Sequence, residues 1–440
     1  MNEDKMSETF AKQASVMRTV SIVSAAYLIM VLTDGSTLSF GIFLTDFADA
    51  LEVGLGVVGA ASSLATAVAH IFSPFGAFMA SKIGYRKTVM IGTLLIGCGF
   101  LASSQVKEAW QLFITHSIIT GFGVALVYTN TIAFVGLTCD RHISIANGVT
   151  LSGTALGWIM LPLLVNTLKA AYGWRGSLQL LGAIVFHATV ISQIVFKTES
   201  KIVTPSEEKT ENYKFLKDCD NGDANEDINK EKTVTEILRE YMRLPITYPL
   251  FLILIIVSNL IVIAFYGTLY HLVSSAIKKG IPEKKATLLM IIYGIGSMIA
   301  RLLNGIPIKL KWIKTRNLFV VALIIAGVSS FVLPFCKSYL SVVLVILFIG
   351  LASGTCMPLT YLSAREIVGI DNFPKALGMM LFTTAFAVII GGFFTGWIYD
   401  TTGSYNVAFF IMSALFFISC FFLVLPNIWF RCMQEKKNEK

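Results

Sequence analysis

Twelve long apolar runs, almost free of charge, constrain this chain more than any other feature. They lie at roughly residues 19–44, 54–80, 88–106, 109–137, 144–168, 176–196, 246–275, 286–308, 318–335, 338–363, 374–398 and 406–430. A run of about 18 or more apolar residues is long enough to cross a bilayer. Each must be helical, because hydrocarbon offers no partner to a free backbone N–H or C=O. With 55% hydrophobic and only 14% charged residues, 440 residues cannot cover a water-facing surface. The expected fold class is therefore an all-α membrane protein with twelve transmembrane helices.

The runs fall into two sets of six, separated by a polar segment rich in Glu, Lys, Asp and Asn. This gives an N-terminal tail at 1–18, a six-helix half at 19–196, a central loop at 197–245, a second half at 246–430 and a tail at 431–440. The middle of the loop has the composition of a disordered segment. Its end, TVTEILREYMR, reads as a short surface helix with Thr233 or Thr235 near its cap. The polar N-terminus, MNEDKMSETFAKQASVMR, lacks the pattern of a cleaved signal peptide.

An even number of spans puts both termini on one side. With that side cytoplasmic, its short loops carry ten Lys/Arg against eight in the opposite loops, and the tails add more. The positive-inside rule then favours cytoplasmic termini. The segment AIKKGIPEKKA between spans 7 and 8 is unusually basic for an outer loop and argues the other way. The plasma membrane is the default location. The net charge of +8 suits contact with anionic lipid heads, and nothing in its distribution points to nucleic acid.

Seven cysteines (98, 139, 219, 336, 356, 420 and 432) show neither disulfide nor metal-ligand spacing. They read as small apolar residues or free thiols, with Cys432 just past the last span open to palmitoylation. No metal or cofactor is expected. A phosphate-binding loop, a nucleophile elbow and the H-E-x-x-H pattern are all absent, which argues against an ATP-driven pump or a hydrolase. No ring of charges suggests a channel.

Arg301 stands in GSMIARLLNG with no charged neighbour from Ala286 through Ile308. On insertion scales a charge at the bilayer centre costs about 2.5–3.5 kcal/mol, so such a residue is kept for pairing, substrate or a watery path. Its planar fork suits a carboxylate. Asp34, in LTDGSTLSFG of span 1, has three functional readings beside the plain one of a hydrated acid in the outer vestibule. It pairs with Arg301, binds a cationic group or takes up a proton. Asn147 is a further candidate for the same cavity. His70, His116, His187 and His271 read as packing residues, and Asn130 and Asn259 as interhelical hydrogen-bonders.

The six-plus-six plan with a long central loop is the layout of the major facilitator superfamily. Four stretches further resemble the monocarboxylate transporter family. These are ISIANGVTLSGTALG (Ile143 to Gly157), YGWRGS (Tyr172 to Ser177), ARLLNG around Arg301, and GWIYDTTGSYNVAF (Gly396 to Phe409). The resemblance implies that two six-helix halves rock about a midplane site. It implies that Arg301 binds the substrate carboxylate and that Tyr361 lies at the substrate site. Lactate-type members travel with a single-span glycoprotein, which makes one a candidate partner.

Departures from the family pattern bear on coupling. Proton-coupled members carry an aspartate one turn before the arginine, where this chain has Ser297. They carry a lysine in span 1 at the place of Leu38, and an arginine at the place of Ile143. Loss of that set leaves uniport and proton symport both open. Independently of the resemblance, Gly148, Gly153 and Gly157 are spaced for close helix packing or gating. Asp400 can cap or bridge the end of span 11, and Gly403 can turn the chain. The expected function is transport of a small organic anion, most simply a monocarboxylate. The alternatives are a zwitterionic, amino-acid-like substrate, or a receptor on the same fold.

Overall fold

The computed structural model describes residues 3–139, 142–195 and 243–438. Arg141, Cys219 and the expected helix near Thr233 or Thr235 lie outside the described residues, as does nearly all of the central loop. The Cys432 side chain does too.

The described chain is helical from end to end, because each run must satisfy its own backbone. Span 1 is the helix Glu3–Ser39, prolonged by a 3-10 turn at Phe40–Phe43 and a short helix Leu44–Ala50. Span 2 is a bent pair, Leu55–Ile71 and Ser73–Ile83, with a 48° angle at the break. Pro74 is the cause, since it has no N–H to give to the preceding turn. Spans 3 and 4 are Tyr85–Ser103 and Ala109–Thr138, the latter with a π-helical turn at Phe113–Thr120. Spans 5 and 6 share one continuous segment, Ile143–Val195, broken at Gly173, where φ is 68° and ψ 175°. Glycine alone takes that conformation without strain.

The second half repeats the plan. Spans 7 to 12 are Pro249–Lys278, Glu283–Leu303, Thr315–Val332, Tyr339–Val368, Phe373–Thr402 and Tyr405–Asn438. By length and apolarity ten helices qualify as spans among the described residues, or eleven with the bent pair as one. The break at Gly173 divides the longest of them and gives the expected twelve.

Each half has its own core. One is built on Phe43, Phe47, Phe100 and Phe134, the other on Phe251, Phe319, Phe409 and Phe416. A smaller cluster with Met30, Leu151, Tyr361 and Phe373 joins the halves. Large apolar residues such as Trp110, Phe393 and Phe421 point outward, as lipid-facing side chains do.

Glycine sets how closely spans 1 and 5 approach. A Cβ on Gly157 would lie 2.6 Å from the Val31 carbonyl oxygen and 2.9 Å from the Gly35 Cα. Gly153 abuts the Tyr27 carbonyl in the same way, and Gly148 meets the backbone of Arg301 across the two halves.

The end of the molecule that bears the termini is closed by bonds between the halves. Ser144 Oγ donates to the Gly305 carbonyl at 3.2 Å, Asn147 Nδ2 to Pro358 at 3.0 Å, and Arg365 Nε to Gly136 at 2.8 Å. Pro358 also orphans the Gly354 carbonyl one turn earlier, and Asn304 Nδ2 fills that vacancy at 3.3 Å.

At the far end, YGWRGS is an anchor. Trp174 packs on Phe47 with centroids 4.7 Å apart. Arg175 lies 4.3 Å over the Trp174 ring and donates to the Ser104 carbonyl at 2.7 Å. Gly403 closes span 11 in the left-handed conformation, its N–H on the Tyr399 carbonyl at 2.7 Å. Asp400 takes no part in that turn. Its carboxylate is exposed and makes no side-chain hydrogen bond among the described residues, so the expected cap or bridge is corrected: glycine conformation ends the helix.

Candidate functional site

A central cavity lies between the halves, lined from spans 1, 2, 4 and 5 on one side and 7, 8, 10 and 11 on the other. Its volume is about 100 Å³. This is well above the roughly 10–15 Å³ needed to hold one water, so the space admits a few waters or a small organic group.

Span 5 supplies one wall. Leu151, Thr154 and Trp158 follow at steps of three and four and so share a helix face. Arg301 enters from span 8 and is only 5% exposed. Its Nη1 donates to the Leu151 carbonyl at 2.6 Å and to Thr154 Oγ1. These two bonds fix the guanidinium and leave its other edge unpaired. Among the described residues, Nε is buried without an acceptor and Nη2 makes no bond. The Nε–Nη2 edge is one of the paired-donor edges that grip a carboxylate with two parallel bonds.

Asp34 faces the same cavity from span 1. It makes no ion pair with Arg301. Its Oδ2 instead accepts the Trp158 indole N–H at 2.9 Å, and the guanidinium carbon lies 5.7 Å from the centre of the same ring. The two charges thus hold opposite relations to one tryptophan, and neither cancels the other by contact.

Tyrosines complete the walls. Tyr361 lines the cavity, 7% exposed, and its hydroxyl is hydrogen-bonded to Tyr128 of the other half. Tyr293 donates to Ser353 Oγ at 2.6 Å. His70, held through Nδ1 by the Thr66 carbonyl at 2.8 Å, lines this cavity and also a second one of about 330 Å³ toward the far end. His271 lines that second space too, its Nε2 3.1 Å from the Gly392 carbonyl oxygen, so both histidines expected to pack also border a cavity. His116 has the packing role expected of it, flat against Phe40 at 3.5 Å.

Asp34, Arg301 and Tyr361 therefore come together, whereas three other candidates do not. Leu38 is 54% exposed and lines no wall, its apolar side chain lying on the outer surface. Ser297 is buried at the contact of spans 8 and 10, where Gly354 sits against its backbone, and does not line the cavity. Asn147 spends its amide on the Pro358 carbonyl and bolts the halves together instead of facing the cavity. Trp158, Thr154, Tyr128 and Tyr293 are cavity residues that sequence reasoning passed over. The three-and-four spacing of Leu151, Thr154 and Trp158 was the available signal, but uncharged residues on an apolar helix do not stand out.

The family profile described as Major Facilitator Superfamily matches residues 25–369 and 313–430. Among curated proteins, Monocarboxylate transporter 12 of Mus musculus is 26% identical over 398 residues, covering 88% of this chain and 81% of its own length. Monocarboxylate transporter 2 of Homo sapiens is 23% identical over 423 residues, covering 95% and 87%. Among solved structures, a proton:xylose symporter superposes with a TM-score of 0.72 at 12% identity, over 93% of this chain and 96% of the other. The human organic anion transporter MFSD10 does so with a TM-score of 0.69 at 14% identity, over 92% and 99%. At those identities the structural likeness speaks to the fold alone.

Proposed function

The chain belongs to the major facilitator superfamily, and on that footing we propose that it carries a small organic anion, most simply a monocarboxylate, by alternating access. The observation that carries this reading is the buried, unpaired Nε–Nη2 edge of Arg301 beside the cavity. A buried donor without an acceptor costs about 1–3 kcal/mol, more when charged. An arginine held through Nη1 by Leu151 and Thr154, with those donors unpaired, has capacity left for a carboxylate once a small movement uncovers Nε. The similarity to monocarboxylate transporters, at 23% and 26% identity, supports the same class of cargo.

The far end faces outside in this reading, with the termini in the cytoplasm and the plasma membrane as the location. The bonds Ser144–Gly305, Asn147–Pro358 and Arg365–Gly136 then act as an inner gate, closed here. Transport requires them to break while contacts at the far end form.

Charge sets the coupling. One Arg and one Asp leave the empty cavity neutral, and a bound monocarboxylate brings one uncompensated negative charge. Carrying that charge through a low-dielectric interior costs several kcal/mol. A proton on a cavity group removes the cost, which favours symport over uniport. A second reading rests on Asp34. A substrate with both carboxylate and ammonium groups places one on Arg301 and the other on Asp34, and needs no proton.

Uptake of labelled lactate, phenylacetate, phenylalanine and tyramine by proteoliposomes, with and without a proton gradient, tests these readings. Carboxylate uptake that Arg301→Ala abolishes supports the first. Uptake of phenylalanine alone, lost in Asp34→Asn, supports the second. Carboxylate transport undiminished without Arg301 sinks both.

A further inference from the structure

The far end of the second half holds a recess of about 500 Å³ that the central site does not account for. Lys278, Lys279, Lys337, Tyr399, Tyr405 and Asn406 line it, and no carboxylate among the described residues does. It gives a place to Lys278 and Lys279 of the basic segment AIKKGIPEKKA, which a charge rule for loops disfavours on this side.

The three lysines are not equivalent. Lys279 is committed to structure, its Nζ donating to the carbonyls of Leu333 at 2.6 Å and Pro334 at 3.3 Å. Lys278 and Lys337 are exposed and make no ion pair among the described residues. Lys278 lies 5.8 Å over the Tyr399 ring and is hydrogen-bonded to Tyr399, a neutral partner that leaves its charge uncompensated.

A set of ring contacts separates the recess from the interior. Tyr399 and Tyr405 stack at 4.1 Å with a 17° angle, and Tyr405 meets His271 at 5.6 Å. On its other side His271 lines the 330 Å³ space, whose opposite wall includes His70, and His70 opens onto the cavity of Arg301. No carboxylate among the described residues lines this antechamber either. Lys278 and Lys337 thus stand at the outer end and Arg301 at the inner, with Tyr405 and His271 as the barrier that must part between them. Asp34 is the one carboxylate among the described residues lining the three spaces, and Asp400 lies just outside the recess, near Tyr405.

We propose that the Lys278–Lys337 recess is an anion-capture vestibule that draws the substrate carboxylate to the far face and hands it through the His271–His70 antechamber to Arg301. This rests on the organic-anion reading of the central site. Capture of this kind acts on encounter: a concave surface of one charge raises the local concentration of counter-charged solute and falls off with ionic strength. An anionic lipid headgroup offers the same oxygen chemistry, so the test separates the two.

The probe is a Ser404→Cys position at the recess, labelled by an anionic (sulfonatoethyl) and a cationic (trimethylammonioethyl) methanethiosulfonate in nanodiscs of neutral phosphatidylcholine. The anionic reagent is expected to react the faster. The anionic-to-cationic rate ratio should fall at least about threefold in Lys278→Gln/Lys337→Gln and on raising salt. Millimolar benzoate should slow the anionic reagent only with the lysines in place. In proteoliposomes, the same double variant should raise KM for an imported carboxylate several-fold while leaving kcat unchanged. A ratio or a KM indifferent to the lysines overturns the proposal. So does a ratio that collapses once phosphatidylglycerol is added to the discs, which assigns the recess to lipid. Arg301→Lys leaves the labelling ratio alone and strikes only uptake, so failure of the vestibule is distinct from failure of the central site.

Discussion

Trp158 stands between Asp34 and Arg301: its indole N–H donates to Asp34 at 2.9 Å while its ring faces the guanidinium at 5.7 Å. One side chain therefore occupies the carboxylate of one half and keeps it off the cation of the other. An Asp34–Arg301 ion pair would take up the unpaired edge of Arg301 that the proposed substrate needs.

Trp158→Phe removes the N–H and keeps most of the ring. Asp34 is then free to turn toward Arg301 and compete with the substrate. Affinity for the carboxylate should fall at least about tenfold, since one hydrogen bond to a charged group is worth about 1.5–3 kcal/mol and tenfold is about 1.4 kcal/mol. Equilibrium binding to purified protein measures it. Unchanged binding would mean that Trp158 does not hold the two charges apart.

Arg301→Lys keeps the charge and loses the fork. An ammonium cannot hold the Leu151 carbonyl and Thr154 and also offer two parallel donors to a carboxylate. Uptake at low substrate should drop at least about tenfold, with less loss at saturating substrate. Initial rates against concentration separate the two regimes.

Asp34→Asn tests the charge balance. The titratable side chains around the cavity, beside Arg301, are Asp34, His70, Tyr128, Tyr266, Tyr293 and Tyr361, with His271 in the antechamber. With Asp34 present, lowering the pH on the substrate side should speed uptake, because protonation offsets the incoming negative charge. An amide in its place cannot titrate and leaves Arg301 to balance the carboxylate alone. The variant should transport with little response to a proton gradient. A full response in Asp34→Asn would move the proton to His70, which His70→Gln then tests.

Gly157→Ala should loosen the protein as a whole. Its Cβ would lie 2.6 Å from the Val31 carbonyl oxygen, so the backbones of spans 1 and 5 must separate. Overpacking of this kind costs about 1–3 kcal/mol. A lower midpoint of thermal unfolding in detergent is expected. Gly59→Ala, with nothing within 4 Å of its Cβ, is the control and should not fall.

Asn147→Ala removes a bolt of the inner gate, the bond to the Pro358 carbonyl. The population should shift toward opening at the terminal end. A cysteine reporter at Ser353, which lines the cavity, should then label faster from that side with an impermeant thiol reagent. An unchanged labelling rate would show that this bond does not hold the gate.

The number of spans, their grouping in two sixes and the prominence of Arg301 and Asp34 could all be read directly from the sequence. The reason is that a bilayer makes each of them a local matter. Length and apolarity decide whether a segment crosses, and a charge inside such a segment is conspicuous because it is costly. The tertiary structure alone decided which side chains share a space. Asn147 and Ser297 lie as near Arg301 in sequence pattern as Tyr361 does, yet they face helix contacts while Tyr361 faces the cavity. Trp158 carries no charge and gives no sequence signal, and its role comes only from the approach of span 1 to span 5 across Gly35 and Gly157. Rotation of a helix by a third of a turn would exchange these neighbours at no cost to its own hydrogen bonds. Only packing between helices fixes that rotation.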